Sequence, residues 1–398
     1  MKFYLNKPSV RPTRLIFTLC VLCASVVNIF AQEWKAVADG VEYARVAREF
    51  SGKPVNINLL RLDLKKVRLD VHHAMDMAIG TEKTSSIATR HSAFAAINAG
   101  FFRLDNSIWA GDAAGVLMID HKLLSESTNN RVALAIANEK DKTEAKFGHL
   151  HSISVVGFGV DTEFWFAGVN RERKIDEIIL YTPDFNRTTL TDDSGTELIL
   201  RDCANNGMQK RCFKAEISNG KGNSVIPTGG YVISIGKNAL EKSNNILYHV
   251  KERVDLRVVI GIGPLPAPKN SFFPEAEDIV AGVPQLIKNG KIDITWEQEK
   301  ASKSFVETRH PRTAVAKLKD GKFLMITVDG RTEQSAGLDL YDLAKYMLEL
   351  GAMDAMNLDG GGSTTMFLDG KVVNRPSDKE GERKVGDAIL VTLRKKRN

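Results

Sequence analysis

The chain has 398 residues, of which 43% are apolar and 26% charged, with a formal net charge of +6. These are the proportions of an ordinary folded protein, and they exclude a disordered or fibrous chain. Lys2, Lys7, Arg11 and Arg14 carry four of the positive charges, and the first 31 residues hold no acid, so without them the charge falls by four to +2. No Lys/Arg stripe of the kind that binds nucleic acid remains, and Arg394–Arg397 reads as a solvated tail.

The basic start leads into an apolar run, Leu15–Phe30, that ends at Ala31, the layout of a signal peptide over residues 1–31. The run is short for a membrane span, which needs about 20 apolar residues. Cys20 and Cys23 follow Leu19 and Leu22, not the small residue of a lipidation site. We expect export to a periplasmic, cell-surface or secreted location, with no stable membrane insertion after cleavage. Cys203 and Cys212 then read as a disulfide. Closing so short a loop contributes roughly 3 kcal/mol in the chain-entropy model. Beyond residue 31 there is no CxxC or HExxH, so no zinc site is expected, and His72, His73, His149 and His151 are taken as scattered.

In chain order, Ile57–Leu64 and Val67–His72 pattern as strands, Thr84–His91 as a short helix and Phe94–Asn98 as a buried strand. Residues 115–260 read as many short strands with turns at Gly157–Gly159 and Pro227–Gly230, and Gly261–Pro284 as a Gly/Pro-rich surface excursion. Phe323–Val328 is an apolar run of strand length that ends in Asp329-Gly330-Arg331. Leu340, Leu343, Ala344, Met347 and Leu348 then fall at helical spacing, with Asp339 placed to cap the start and Gly351 to end it. Asp354–Leu358 reads as another strand, ending in Asp359-Gly360-Gly361-Gly362. Strand, helix and strand predict a crossover with parallel strands, which brings Asp329 and Asp359 to one sheet edge.

AAINAGFF (95–102) with GVLMIDHKLLSES (115–127) is echoed by DAMNLDGGGS (354–363) with TTMFLDGKVVNRPS (364–377), and VPQLIKNGKIDI (283–294) repeats the hairpin part. The fold class expected is α+β, a mixed α/β arrangement of internally duplicated strand-helix-strand units with curved mixed sheets and β-hairpins. The two Asn-Gly turns, at Asn98 and Asn357, are expected to face one another across a site.

Asp329 and Asp359 form the natural carboxylate pair for acid–base work on a glycosidic bond, although Asp before Gly also commonly caps a turn. Gly360, Gly361 and Gly362 permit close backbone approach to an anion, and Ser363 and Thr364 add hydroxyls. Arg312 and Arg331 are shaped to clamp a phosphate, and His310 stands beside Arg312.

NAGFF (98–102), PRTAV (311–315), DGR (329–331), Gly337–Ala344, NLDGGGST (357–364), Asn374–Ser377 and Glu382-Arg383 together resemble the phosphodiester glycosidase family, from about residue 94 to 392. The resemblance implies hydrolysis of a sugar-1-phosphodiester to free sugar and a phosphomonoester. It implies a site formed by Asn98, Arg312, Asp329, Arg331 and Asp359 and lined by Gly361, Ser363 and Thr364. His310, Thr313, Gly330, Asn357, Gly360, Gly362 and Arg383, in or beside the same motifs, are expected to bind the substrate. The first motif departs mildly, with Asn-Ala-Gly where Asn-Gly-Gly is usual.

The domains expected are a signal peptide at 1–31, an N-terminal β-rich subdomain at 32–90 and a catalytic domain at 91–398. The partner expected is a carbohydrate phosphodiester of a glycan or cell-wall type. No cofactor is required by the sequence, although the Asp- and Asn-rich turns at Asp329 and Asn357–Asp359 suit Ca²⁺ or Mg²⁺. Two other readings use the same residues: a non-catalytic binder of anionic glycans, and a metal-assisted phosphodiesterase that cuts P–O.

Overall fold

A computed structural model describes Met1 and residues 32–158, 162–206, 209–242, 247–248, 256–263 and 275–395. Apart from Met1, the expected signal peptide lies outside the described residues, as does the end of the turn at Gly157–Gly159. The strand Phe323–Val328 is buried at every residue, as expected where both faces of a sheet are covered. It pairs antiparallel with Lys53–Leu62 on one side and Arg312–Leu318 on the other, and Arg312–Leu318 pairs antiparallel with Ala352–Asn357. Phe323–Val328 and Ala352–Asn357 therefore run parallel with one strand between them. The expected crossover is present, but its strands are not neighbours.

The helix that makes this crossover, Leu340–Glu349, begins where Asp339 accepts a hydrogen bond from the Asp342 N–H. Its Leu340, Leu343, Ala344 and Met347 pack on Ala314, Ala316, Leu324, Ile326 and Ala355 of the sheet. On the opposite face, Val315, Met325 and Met356 meet Leu69, Val71, Ile97, Met366, Ile389 and Val391 of a second sheet. The far face of that second sheet packs through Ala96, Ala388 and Leu390 against Ile87 and Ala88 of the helix Thr84–Arg90. Helix, sheet, sheet and helix are thus stacked in four layers.

Three sheets share one five-strand pattern. Their orders are 143–149, 132–138, 278–281, 117–119, 122–125; then 67–73, 387–393, 95–98, 366–368, 371–372; then 323–328, 312–318, 352–357, 285–288, 291–292. In each, a hairpin from one segment pairs with the central strand of the next, so the three segments close in a ring. The hairpins turn at Asp120-His121, Asn289-Gly290 and Asp369-Gly370, all at positive φ, the backbone that two-residue hairpins demand. The echoed segments are therefore strand-plus-hairpin units arranged three times, not a pair of strand-helix-strand units. A helix precedes the central strand at Thr84–Arg90 and at Leu340–Glu349.

The remaining eight-stranded sheet carries the Cys203–Cys212 disulfide between directly paired positions of adjacent strands. Hydrogen bonding is antiparallel throughout the paired strands described, except where Gly168–Val169 meets Ile178–Tyr181. The surface excursion expected at 261–284 is corrected at both ends. Leu256–Gly263 is a strand, and Asp278–Ala281 is a fully buried central strand. The Gly and Pro residues flank the apolar run of 278–281 and do not interrupt it, and 264–274 lies outside the described residues. Residues 33–398 cluster as one unit, in which Lys53–Leu62 and Val67–His73 are laced into two different sheets.

Candidate active site

The candidate site draws its residues from both facing sheets. Arg45, Asn58, Thr327 and Thr313 are directly paired across four adjacent strands and so share one face. They form a polar row at the rim of an otherwise apolar surface, and Asp329 follows Thr327 by two residues on that face. Asn58 Nδ2 and Thr327 Oγ1 are buried and have no hydrogen-bond partner. Thr313 Oγ1 donates to Asn98 Oδ1 at 2.8 Å, which also accepts from the Thr365 N–H at 3.1 Å. Asn98 Nδ2 donates to the Asp359 carbonyl at 2.6 Å, and the Asp359 N–H donates to the Ala99 carbonyl at 2.9 Å. The two Asn-Gly turns do meet, and Asn98, fully buried, is the knot between them.

Asp329 is nearly buried, at 4% exposure. Burial raises its carboxyl above the usual range, against the Arg375 N–H, the Asn374 amide and the charges of Arg45 and Arg375. The Arg375 N–H donates to its Oδ1 at 2.9 Å and Asn374 Nδ2 at 3.4 Å, while Asn374 also reaches the Thr364 carbonyl at 3.0 Å. Asn374 therefore ties the Asp329 turn to the glycine turn.

Burial pushes the Asp359 carboxyl up to about 6, opposed by the Ser363 hydroxyl, the Arg383 guanidinium and the Gly360 N–H. Behind it stands Asp387, which the sequence reading missed. Asp387 is 1% exposed, and burial, with the charge of Asp359, pushes it up to about 7. Its Oδ1 accepts from the Gly100 N–H at 2.5 Å, and its Oδ2 has no partner. A Cβ on Gly100 would lie 3.0 Å from Asp387 Oδ2, a tight contact that leaves little room for a larger residue. The available signal was an acid opening the apolar strand DAILVTL (387–393).

The three glycines have three different reasons. A Cβ at Gly360 would lie 2.7 Å from the Pro311 carbonyl, and one at Gly362 would lie 2.2 Å from both Arg383 Nη2 and Asp378 Oδ1. Gly361 has φ +60°, with Arg331 Nη2 3.0 Å from its Cβ position. The expected cradle of free N–H groups is reduced, because Gly361 N donates to Pro311 O, Ser363 N to Gly360 O and Thr364 N to Gly361 O. Thr364 Oγ1 is buried without a partner.

Among the described residues, Arg45, Arg331 and Arg375 are exposed and have no acid partner. Arg331 Nη1 reaches Ser377 Oγ at 3.4 Å and Arg375 Nη1 reaches Gln334 Oε1 at 3.3 Å. Arg383, by contrast, is paired with Asp378 at 2.7 and 3.0 Å. Arg312 requires a correction. It is 1% exposed, and its guanidinium donates to the carbonyls of Leu338 at 2.9 Å, Phe305 at 2.8 Å and Thr308 at 2.7 Å. A guanidinium with three of its five donors engaged in this way is a scaffold brace, not an open phosphate clamp. It holds the segment that supplies the Pro311 carbonyl to Gly361.

His310 is bridged through its backbone to Leu338, and burial with the charges of Arg312 and Arg331 lowers its imidazole. Gly330 packs on Pro311, whose N is 2.8 Å from a Cβ there, and Asn357 Nδ2 donates to the Val283 and Leu358 carbonyls. Among the described residues, Asp329 and Asp359 do not belong to any group of three acid or histidine donors close enough to share an ion.

The phosphodiester glycosidase family model matches residues 206–392, which takes in Arg312, Asp329, Arg331, Asp359 and Asp387 but not Asn98. The chain is 38% identical to the mouse N-acetylglucosamine-1-phosphodiester alpha-N-acetylglucosaminidase over 121 residues, 28% of this chain and 22% of the mouse protein. It thus spans about a fifth of the length of that relative. A structure of a hypothetical protein from Synechocystis superposes with a TM-score of 0.74 at 23% identity, over 91% of this chain and 64% of the other. A putative exported protein from Burkholderia pseudomallei superposes with a TM-score of 0.70 at 22% identity, over 85% and 74%. At these identities the two structures bear on the fold alone. The resemblance read from the motifs thus holds, and over residues 206–392 this chain is similar to the phosphodiester glycosidases.

Proposed function

We propose that this protein is an exported hydrolase that cleaves the glycosidic C–O bond of a sugar-1-phosphodiester, releasing free sugar and a phosphomonoester. The observation that carries the reading is the buried carboxylate Asp329 set among exposed arginines that lack acid partners, Arg45, Arg331 and Arg375. Such a rim favours an anionic substrate, and guanidiniums suit a phosphate. Asp359, raised to about 6, holds a proton close to neutral pH and gives it to the phosphate oxygen as that oxygen leaves the anomeric carbon. Asp329, beside Arg45 and the Arg375 N–H, serves the sugar side as base or nucleophile. Burial, together with the charge of Asp359, keeps the neighbouring Asp387 protonated up to about pH 7.

Export is supported by the leader-like residues 1–31 and by the Cys203–Cys212 disulfide. The curated relative named for this phosphodiester supports the substrate class.

The test is incubation of the purified protein with UDP-GlcNAc or a simple GlcNAc-1-phosphodiester, with product identification. Free sugar with a phosphomonoester is expected. Sugar-1-phosphate would assign P–O cleavage, and tight binding without turnover would assign a binding protein; either sinks the proposal.

A further inference from the structure

One group of side chains outside this site has the chemistry of a metal centre. His72 and His73 are consecutive in the strand Val67–His73, so they face opposite sides of the sheet. His73 turns inward, with its ring nitrogens 3.1 Å from the Ala74 carbonyl and 2.9 Å from the Gly111 carbonyl. His72 turns the other way. Its paired residue Ala388 packs against Ile87 and Ala88, so His72 lies on the face covered by the helix Thr84–Arg90. His91 is the C-cap residue of that helix, and its ring stacks on His72 with centroids 3.6 Å apart and planes 22° apart.

Asp76 reaches the same place from a turn in which Met75 and Asp76 both have positive φ, and its Oδ1 lies 3.0 Å from His91 Nε2. One donor atom from each of His72, Asp76 and His91 falls within 4.8 Å of the other two. The group borders a cavity of about 220 Å³, whose wall also carries Asp120, Lys122 and Asp184. No protein group among those described hydrogen-bonds the His72 ring.

We propose that His72, Asp76 and His91 bind a first-row divalent cation, Zn²⁺ by preference, and so pin the end of the helix and the Asp76 turn onto the strand. Two imidazoles and one carboxylate are a borderline-soft set suited to Zn²⁺, not to the all-oxygen shells of Ca²⁺ or Mg²⁺. Bonds of roughly 2.0–2.2 Å separate tetrahedral donors by about 3.4 Å, so binding draws in donors that lie within 4.8 Å of one another and turns the two stacked imidazoles apart, to aim their in-plane lone pairs at one point. Arg90 stands in the way: its Nη1 contacts Asp76 and lies 2.9 Å from His91 Nε2. Its Nη2 is held by Glu82 at 2.9 Å, so the guanidinium keeps one partner when the cation replaces it on Asp76.

The experiment is calorimetric titration of the untagged protein, first treated with a chelator, with Zn²⁺. One tight equivalent and a higher Tm are expected. His72→Ala and His91→Ala each lose that equivalent, and Arg90→Gln tightens it several-fold. Loading wild type with Co²⁺ gives a readout independent of any variant's folding, because visible absorption of a four- or five-coordinate ion is expected. Absence of uptake by wild type, survival of the equivalent in both histidine variants, or uptake in Arg90→Gln alone would overturn the proposal. In the last case the arginine is the native cation.

Discussion

The side-chain amide of Asn98 donates to the backbone carbonyl of Asp359 at 2.6 Å across 261 positions of sequence. The same side chain accepts from Thr313 and from the Thr365 N–H, so one buried residue locks the first motif to the carboxylate turn and to the strand Arg312–Leu318. Asn98→Ala leaves a hydroxyl, an N–H and a carbonyl without partners. With an unmet buried polar group worth about 1–3 kcal/mol, a loss of roughly 2–5 kcal/mol in urea unfolding is expected. Activity should fall through kcat, because the Asp359 turn loses its tether. An unchanged unfolding midpoint would refute the role given to Asn98.

Asp359→Asn keeps the shape of the side chain and removes its proton chemistry. Positioned acid–base groups contribute about 10²–10⁴ in rate, so kcat should drop by about that factor while circular dichroism stays native. As the acid must be protonated and its carboxyl is raised to about 6, the wild-type rate should decline as pH rises through about 6. A rate that rises steadily across pH 5–8 would contradict the assignment.

Asp387 links pH to stability with a definite sign. Its folded value of about 7 lies above the ordinary 3.8, so between those values the folded state holds a proton that the unfolded state has released. Stability from this group is complete below about pH 3.8 and is lost as pH rises towards 7. Asp387→Asn should therefore show a shallower fall in Tm between pH 5 and 8 than wild type. Parallel curves for the two proteins would show that Asp387 does not titrate as described.

Arg331 leans on Gly361 without an acid partner, which suits it to meet the substrate phosphate. A hydrogen bond to a charged group is worth about 1.5–3 kcal/mol, so Arg331→Ala should lower kcat/KM by about 10- to 100-fold with little change in Tm. Equal kinetics in wild type and variant would remove Arg331 from the site.

Arg312→Ala should act in the opposite manner. It strips partners from the carbonyls of Phe305, Thr308 and Leu338, and a Tm fall of several degrees is expected from a loss of about 2–4 kcal/mol. A native Tm together with abolished activity would restore the phosphate-clamp reading.

Local physics made part of this protein legible from its sequence alone. An unbroken apolar run marked Phe323–Val328 at its observed bounds, and helical spacing with a carboxylate cap marked the helix after Asp339. The hairpins expected from the echo at 283–294 and 364–377 turn at Asn289-Gly290 and Asp369-Gly370, residues that accept the positive φ such turns need. Parallel strands on either side of the helix brought Asp329 and Asp359 to one edge, because both follow the C-terminal ends of those strands.

Register and burial, which no short stretch encodes, decided the rest. Arg45, Asn58, Thr327 and Thr313 become a row only when four strands pair at one phase, and Arg312 becomes a brace only when three distant carbonyls surround it. Asp387 gains its proton from an apolar setting built by other segments. His72 and His91, 19 residues apart and unremarkable in the sequence, stack only because a helix packs over a strand.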